Sequence, residues 1–317
     1  CIRDRDIVLH AFEGVFTVSL MVLAGYYLGS HHWFSEESLN LISKLITKIC
    51  LPLYMIVNLT ETLTHDTVIQ MSSGLPVAVS SMIICFIIGQ LAVRFAKIPK
   101  GRRGVLAAVF FVTNTILIGL PLSTELFGTK CIPFVLVYYM ANTVVFWVVA
   151  AHIIAVDGTE NVPPLFSVQT LKHIVNPPLA GFAIGFTLVM LELHLPHPLL
   201  VSFKYMGNMT TPLAMLFIGA VVSNADWSKI HFDRQILLAL FGRFVVCPLG
   251  IILMAPIIGI PPLMTQVFTI QAAMPAPSVL PVLAKNYGAD YEYAATLTVV
   301  TTVLAVVVMP FYMWVVS

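Results

Sequence analysis

Polar residues divide this chain of 317 into ten apolar runs, at 7–29, 41–61, 75–96, 104–127, 131–156, 173–193, 199–222, 235–258, 263–285 and 293–316. A helix that crosses a bilayer needs roughly 20 mostly apolar residues, so each run is long enough and little of the chain is left over. Only 10% of the residues are charged and 59% are hydrophobic, whereas an ordinary soluble domain is about 25% charged. The expected fold class is an all-α integral membrane protein with ten transmembrane helices. The first run is too long for a signal-peptide core and lacks a small-residue cleavage pattern, so the chain from Ile7 onward reads as a retained spanning helix.

The remaining composition narrows the function by exclusion. A formal net charge of +1 with no basic block argues against nucleic-acid binding. The cysteines, Cys1, Cys50, Cys85, Cys131 and Cys247, are odd in number and far apart, which is neither a disulfide framework nor a zinc site. Asn58-Leu-Thr and Asn208-Met-Thr match the glycosylation pattern but lie in apolar runs, and His31, His32, His194 and His197 sit at helix ends, where an interfacial imidazole is expected. With no Gly-rich phosphate loop, no HExxH and no supported catalytic triad, the sequence predicts neither an enzyme nor a bound metal or organic cofactor.

Orientation follows from Lys and Arg, which accumulate on the cytoplasmic side. Connections after odd-numbered runs hold Lys44, Lys48, Arg94, Lys97, Lys100, Arg102, Arg103, Lys172, Lys229, Arg234, Arg243 and Lys285, while the opposite side holds only Arg3, Arg5, Lys130 and Lys204. Both termini are therefore expected on the non-cytoplasmic face of a cell membrane, plasma or bacterial inner.

The two halves of the chain repeat each other. KLITKICLPL at 44–53 aligns with KYMGNMTTPL at 204–213, an offset of 160, and the same offset carries Pro121 onto Pro281 and Phe127-Gly128 onto Tyr287-Gly288. LAGYYLG at 23–29 aligns with LAGFAIG at 179–185 at offset 156. Three ordered matches predict a first five-helix repeat at 1–156, a cytoplasmic linker at 157–172 and a second repeat at 173–317. Five is odd, so the second repeat is inverted, the arrangement typical of secondary carriers that work by alternating access.

The fourth run, VFFVTNTILIGLPLSTELFG, and the ninth, QVFTIQAAMPAPSVLPVLAKNYG, concentrate proline, glycine and small polar residues in mid-run. Proline removes a donor and clashes with the preceding turn, and freed backbone groups are tolerated in a membrane only against protein or a watery cavity. Thr113, Asn114 and Thr115 begin about ten residues into their run, about 15 Å deep at helical rise, and Pro275, Pro277 and Ser278 reach that depth from the other side. Half-helix N-termini meeting at the midplane offer unpaired N–H groups and partial positive charge to a carboxylate. Arg243 lies near the same depth, either as a functional charge or snorkelling to the interface. Asn142 and Thr143 are placed to donate to an anion or to bridge helices. The candidate substrate-binding residues are Thr113, Asn114, Thr115, Gly119, Pro121, Asn142, Arg243, Pro275, Pro277, Ser278 and Pro281. Glu13 is the deepest carboxylate, and the coupling ion, H⁺ or Na⁺, is not specified by any motif.

Asn114-Thr115 followed by Ile118-Gly119-Leu120-Pro121-Leu122 resembles the auxin efflux carrier family, which includes plant auxin exporters and bacterial malate and malonate permease-like proteins. Ala272-Ala273-Met274-Pro275, Leu280-Pro281 and Ala284-Lys285-Asn286-Tyr287 resemble the family's ninth helix, and Arg243-Phe244-Val245-Val246-Cys247-Pro248 its eighth. The resemblance implies ten helices in a 5+5 inverted repeat, with broken helices 4 and 9 crossing at prolines and the substrate carboxylate beside Asn114 and Pro275. Thr113 stands where plant members usually carry the crossover proline, and the third run has no acidic residue before Arg94 where they carry an Asp and Lys pair. The bacterial branch fits better, because the long cytoplasmic loop of many plant exporters is missing. A homodimer is compatible with the resemblance. The function expected is secondary transport of small organic anions such as malate, with a carrier-like ligand sensor or an anion channel as alternatives.

Overall fold

A computed structural model describes residues 2–62, 65–158, 174–224 and 232–316, and every regular element among them is helical. The first half contains α1 (Ile2–Ser30), α2 (Glu36–Leu45), α3 (Leu51–Thr62), α4 (His65–Phe95), α5 (Arg103–Phe111), α6 (Leu120–Phe127), α7 (Ile132–Val145) and α8 (Ala151–Gly158). The second contains α9 (Pro177–Met190), α10 (His197–Asn208), α11 (Thr210–Ser223), α12 (Arg234–Phe241), α13 (Cys247–Ile258), α14 (Pro262–Ala272), α15 (Leu280–Asn286) and α16 (Tyr291–Val316). Six described stretches are long and apolar enough to cross a membrane: Glu36–Glu61, Met71–Phe95, Arg103–Phe127, Thr129–Gly158, His197–Ser223 and Arg234–Ile258.

Helix bounds and apolar runs differ where expected. α4 starts at His65 rather than 75, because hydropathy marks the lipid-depth part of a helix and not its polar continuation. Of the predicted linker, Asp157 and Gly158 close α8. The rest of the linker, with Lys172, Lys229 and the side chains of Arg3, Arg5 and Glu13, lies outside the described residues.

Proline shapes the helices locally. α2 runs into α3, and α12 into α13, through π turns at Ile46–Cys50 and Gly242–Val246, and another π turn, Thr115–Gly119, opens into α6. Each ends two residues before a proline, at Pro52, Pro248 or Pro121. Without an N–H at that proline the preceding carbonyls lose an i→i+4 partner, and the wider i→i+5 register absorbs the loss.

Two packing groups result. In one, α1 lies along α11, while α9 and α10 lie on α3. Glycine makes these contacts: a Cβ at Gly25 would stand 2.3 Å from the Leu216 carbonyl oxygen, and one at Gly219 2.0 Å from that of Val22. Gly181 and Gly185 serve α9 the same way, against Pro52 and Ile56. Close backbone approach through small residues is the usual means of helix association where lipid removes the hydrophobic drive. The other group joins α4, α5, α7 and α13 with α14, α15 and α16. At one end, Arg102 Nε meets Asp290 Oδ2 at 2.6 Å, and Asp157 Oδ2 accepts from Gly104 N at 3.1 Å, capping α5.

Candidate functional site

The stretch Arg103–Phe127 is almost wholly enclosed by protein, yet its helix stops at Phe111, turns extended at Val112 and resumes only at Thr115. Buried backbone groups released by such a stop must find partners. Thr113 N donates to Asn142 Oδ1 at 2.9 Å and Asn142 Nδ2 donates to Thr113 O at 3.0 Å, so one amide replaces two backbone bonds. Asn114 N donates to Pro275 O at 2.9 Å, which ties this stop to the second one, between α14 and α15. There Ala276 N donates to Thr301 Oγ1 at 3.1 Å, and that hydroxyl donates to Leu297 O at 2.7 Å.

Carbonyls account for Arg243. α5 and α14 both end at this junction and turn their negative ends toward it. The Arg243 side chain is 0% exposed. Its Nε donates to Val109 O at 2.7 Å, Nη2 reaches the same oxygen, and Nη1 donates to Ala272 O at 3.2 Å and faces Met274 O at 3.5 Å. One turn on, the Cys247 thiol donates to Phe110 O. Gly242 lets the helix approach this closely, since a Cβ there would lie 2.3 Å from the Phe110 ring. The guanidinium thus joins two helix ends and faces the junction.

The opposite polarity comes from the helix that resumes at Thr115. Its first intrahelical bond is Gly119 N to Asn114 O at 3.0 Å, and no side chain caps it at Asn114. The N–H groups before Gly119 in that turn, from Thr115 to Ile118, therefore lack intrahelical acceptors. Asn114 instead donates through Nδ2 to Ser278 Oγ at 2.8 Å, across the junction.

The sequence-predicted residues separate by what they touch. Thr113, Asn114, Asn142, Arg243, Pro275 and Ser278 form the junction through the bonds above. Thr115 and Gly119 bound the π turn, Pro121 and Pro281 start the helices that follow, and Pro277 O accepts from Leu280 N at 3.0 Å. Gly119 admits a side chain: Gln271 Oε1 occupies the space a Cβ would need, at 2.3 Å. Gln271, Ser123, Thr301 and Cys247 escaped the sequence reading. The signal for Gln271 was present, as a buried-depth amide four residues before Pro275, and Thr301 falls within one residue of Asn142 at the repeat offset.

A wholly helical set of described elements, several of membrane-spanning length, with a buried junction of backbone, amides and one guanidinium, defines a multi-pass membrane protein. Residues 10–313 match the membrane transport protein family. The chain belongs to that family, the auxin efflux carrier family of membrane transporters. It is 22% identical over 309 residues to an uncharacterized transporter of Methanothermobacter thermautotrophicus, covering 95% of this chain and 96% of that one. It is 23% identical over 181 residues to a putative malonate transporter of Rhizobium meliloti, 56% of each chain.

Proposed function

We propose that this transporter is a secondary carrier of small organic anions, with malate- or malonate-like carboxylates as the substrate class. The observation that carries the reading is the uncapped helix start at Thr115, buried at the junction where the Arg243 guanidinium joins the ends of α5 and α14. Unpaired N–H groups at the positive end of a helix suit a carboxylate, and Asn114 supplies a further donor. The malonate transporter named among the relatives supports the substrate class. In this reading Arg243 acts on the anion through its charge, since its donors already serve carbonyls of both helix ends.

The architecture proposed with this function is ten spans in a 5+5 inverted repeat, both termini non-cytoplasmic, with the junction as the midplane crossing that is exposed alternately to each side. It gains support from glycines at matched repeat positions: Gly25 and Gly29 seat α1 on α11, and Gly181 and Gly185 seat α9 on α3. Thr301 feeding the second stop as Asn142 feeds the first adds to it.

Uptake of labelled malate and malonate into proteoliposomes under imposed ion gradients tests the function. Asn114→Ala should raise the half-saturating concentration about three- to tenfold, the worth of one neutral hydrogen bond, with the fold retained. No saturable uptake of either acid by the unaltered protein would refute the reading.

A further inference from the structure

Two buried polar atoms flank the uncapped turn without any hydrogen-bond partner. Thr113 Oγ1 stands just before it, and Gln271 Oε1 lies against its last residue, Gly119. Thr113 is 2% exposed and Gln271 0%. The Gln271 amide is anchored at its other end, where Nε2 donates to Ser123 Oγ at 3.0 Å. Its oxygen is thereby fixed against the turn at Gly119, where a side chain of any size would displace it. An acceptor enclosed in protein without a donor is destabilising, and in most proteins such a group is paired. Packing accounts for the glycine opposite Gln271 but not for a buried oxygen left unmatched.

We propose that Gln271 Oε1 is a specificity contact that receives a hydrogen-bond donor carried by the substrate, a hydroxyl or a protonated carboxyl, while the N–H groups after Asn114 receive the ionised carboxylate. This rests on the carrier reading above and sharpens its substrate class: an anion with both a carboxylate and a donor hydrogen. Amide acceptors discriminate strongly, because a ligand lacking the donor leaves the oxygen unpaired.

The test uses pairs differing by one hydroxyl, malate against succinate and tartronate against malonate, with the full-length protein in liposomes at a pH where all carboxyls are ionised. The unaltered protein should favour the hydroxylated member of each pair. Gln271→Met, of similar length, should lower that preference about three- to tenfold, whatever the absolute rates. Where a protonated carboxyl supplies the donor, half-saturation should instead improve for all four acids as pH falls, and Gln271→Met should flatten that dependence. Gln271→Met combined with Ser123→Ala removes both partners of the anchoring bond and should melt near the unaltered protein, keeping the comparison within folded protein. If Gln271→Met changes neither the hydroxyl preference nor the pH dependence, Gln271 is a packing residue and the proposal is wrong. If the unaltered protein takes up none of the four acids, the carrier reading fails and this one with it.

Discussion

Replacing Arg243 by methionine keeps much of its volume and removes every donor at the meeting of α5 and α14. Two well-formed bonds are lost, from Nε to Val109 O at 2.7 Å and from Nη1 to Ala272 O at 3.2 Å, with the weaker approach to Met274 O. Hydrogen bonds to charged groups contribute about 1.5–3 kcal/mol each. Relief from burying a charge offsets part of that, while stranding buried carbonyls adds to it. A loss of about 3–5 kcal/mol results. At the roughly 2–4 °C per kcal/mol typical of chains of 150–250 residues, the melting temperature should fall on the order of 10 °C. Near-UV circular dichroism of detergent-solubilised protein would follow this. Arg243→Lys should recover only part, because one ammonium lacks the planar fork that reaches both helix ends. In transport, loss of the charge should weaken mono- and dicarboxylates alike. An Arg243→Met protein melting with the unaltered one would refute the capping role. A selective loss of dicarboxylates would instead show a direct pairing with a second carboxylate.

Asn142→Leu leaves Thr113 N and O without partners, which should cost about 2–6 kcal/mol for two buried groups, read as a fall in melting temperature. Gly119→Ala places a methyl 2.3 Å from Gln271 Oε1, so saturable uptake should fall while the protein still purifies folded, and adding Gln271→Ala should restore part of it. Gly219→Val drives a side chain into the Val22 backbone, 2.0 Å from a Cβ, and because backbone yields poorly a melting-point loss equivalent to about 1–3 kcal/mol or more is expected.

Helices were the most legible feature of the sequence, since only length and apolarity are needed to recognise a membrane-spanning stretch. The stops at 112–114 and 273–279 fall where proline and small polar residues cluster, because those residues weaken the helix locally. What joins the stops was not legible. The bond from Asn114 N to Pro275 O depends on two segments 161 residues apart meeting in one register. Arg243 could be placed by depth, but the three carbonyls around it follow from how closely Gly242 lets its helix approach Phe110. Glycines were visible as a repeat, LAGYYLG and LAGFAIG, without any sign that one seats on α11 and the other on α3.

Where the polar bonds fall limits how the junction can move. Asn142, Arg243, Cys247 and Thr301, which satisfy the freed backbone groups, all sit on helices of the group that contains the junction. Pulling α5 from α14 would strand several buried groups at once, each costing about 1–3 kcal/mol. The boundary with α1 and α11 is built differently. It holds an apolar cavity lined by Val22, Ile118, Leu122, Met215 and Met309, and apolar surfaces that slide exchange one contact for a similar one. Displacing the junction as a unit along that boundary therefore breaks none of the bonds that define it, whereas opening it from within breaks most of them. A cross-link between α5 and α14 should accordingly leave transport intact, while one between α1 and α6 should arrest it; the reverse pattern would mean that the junction itself opens.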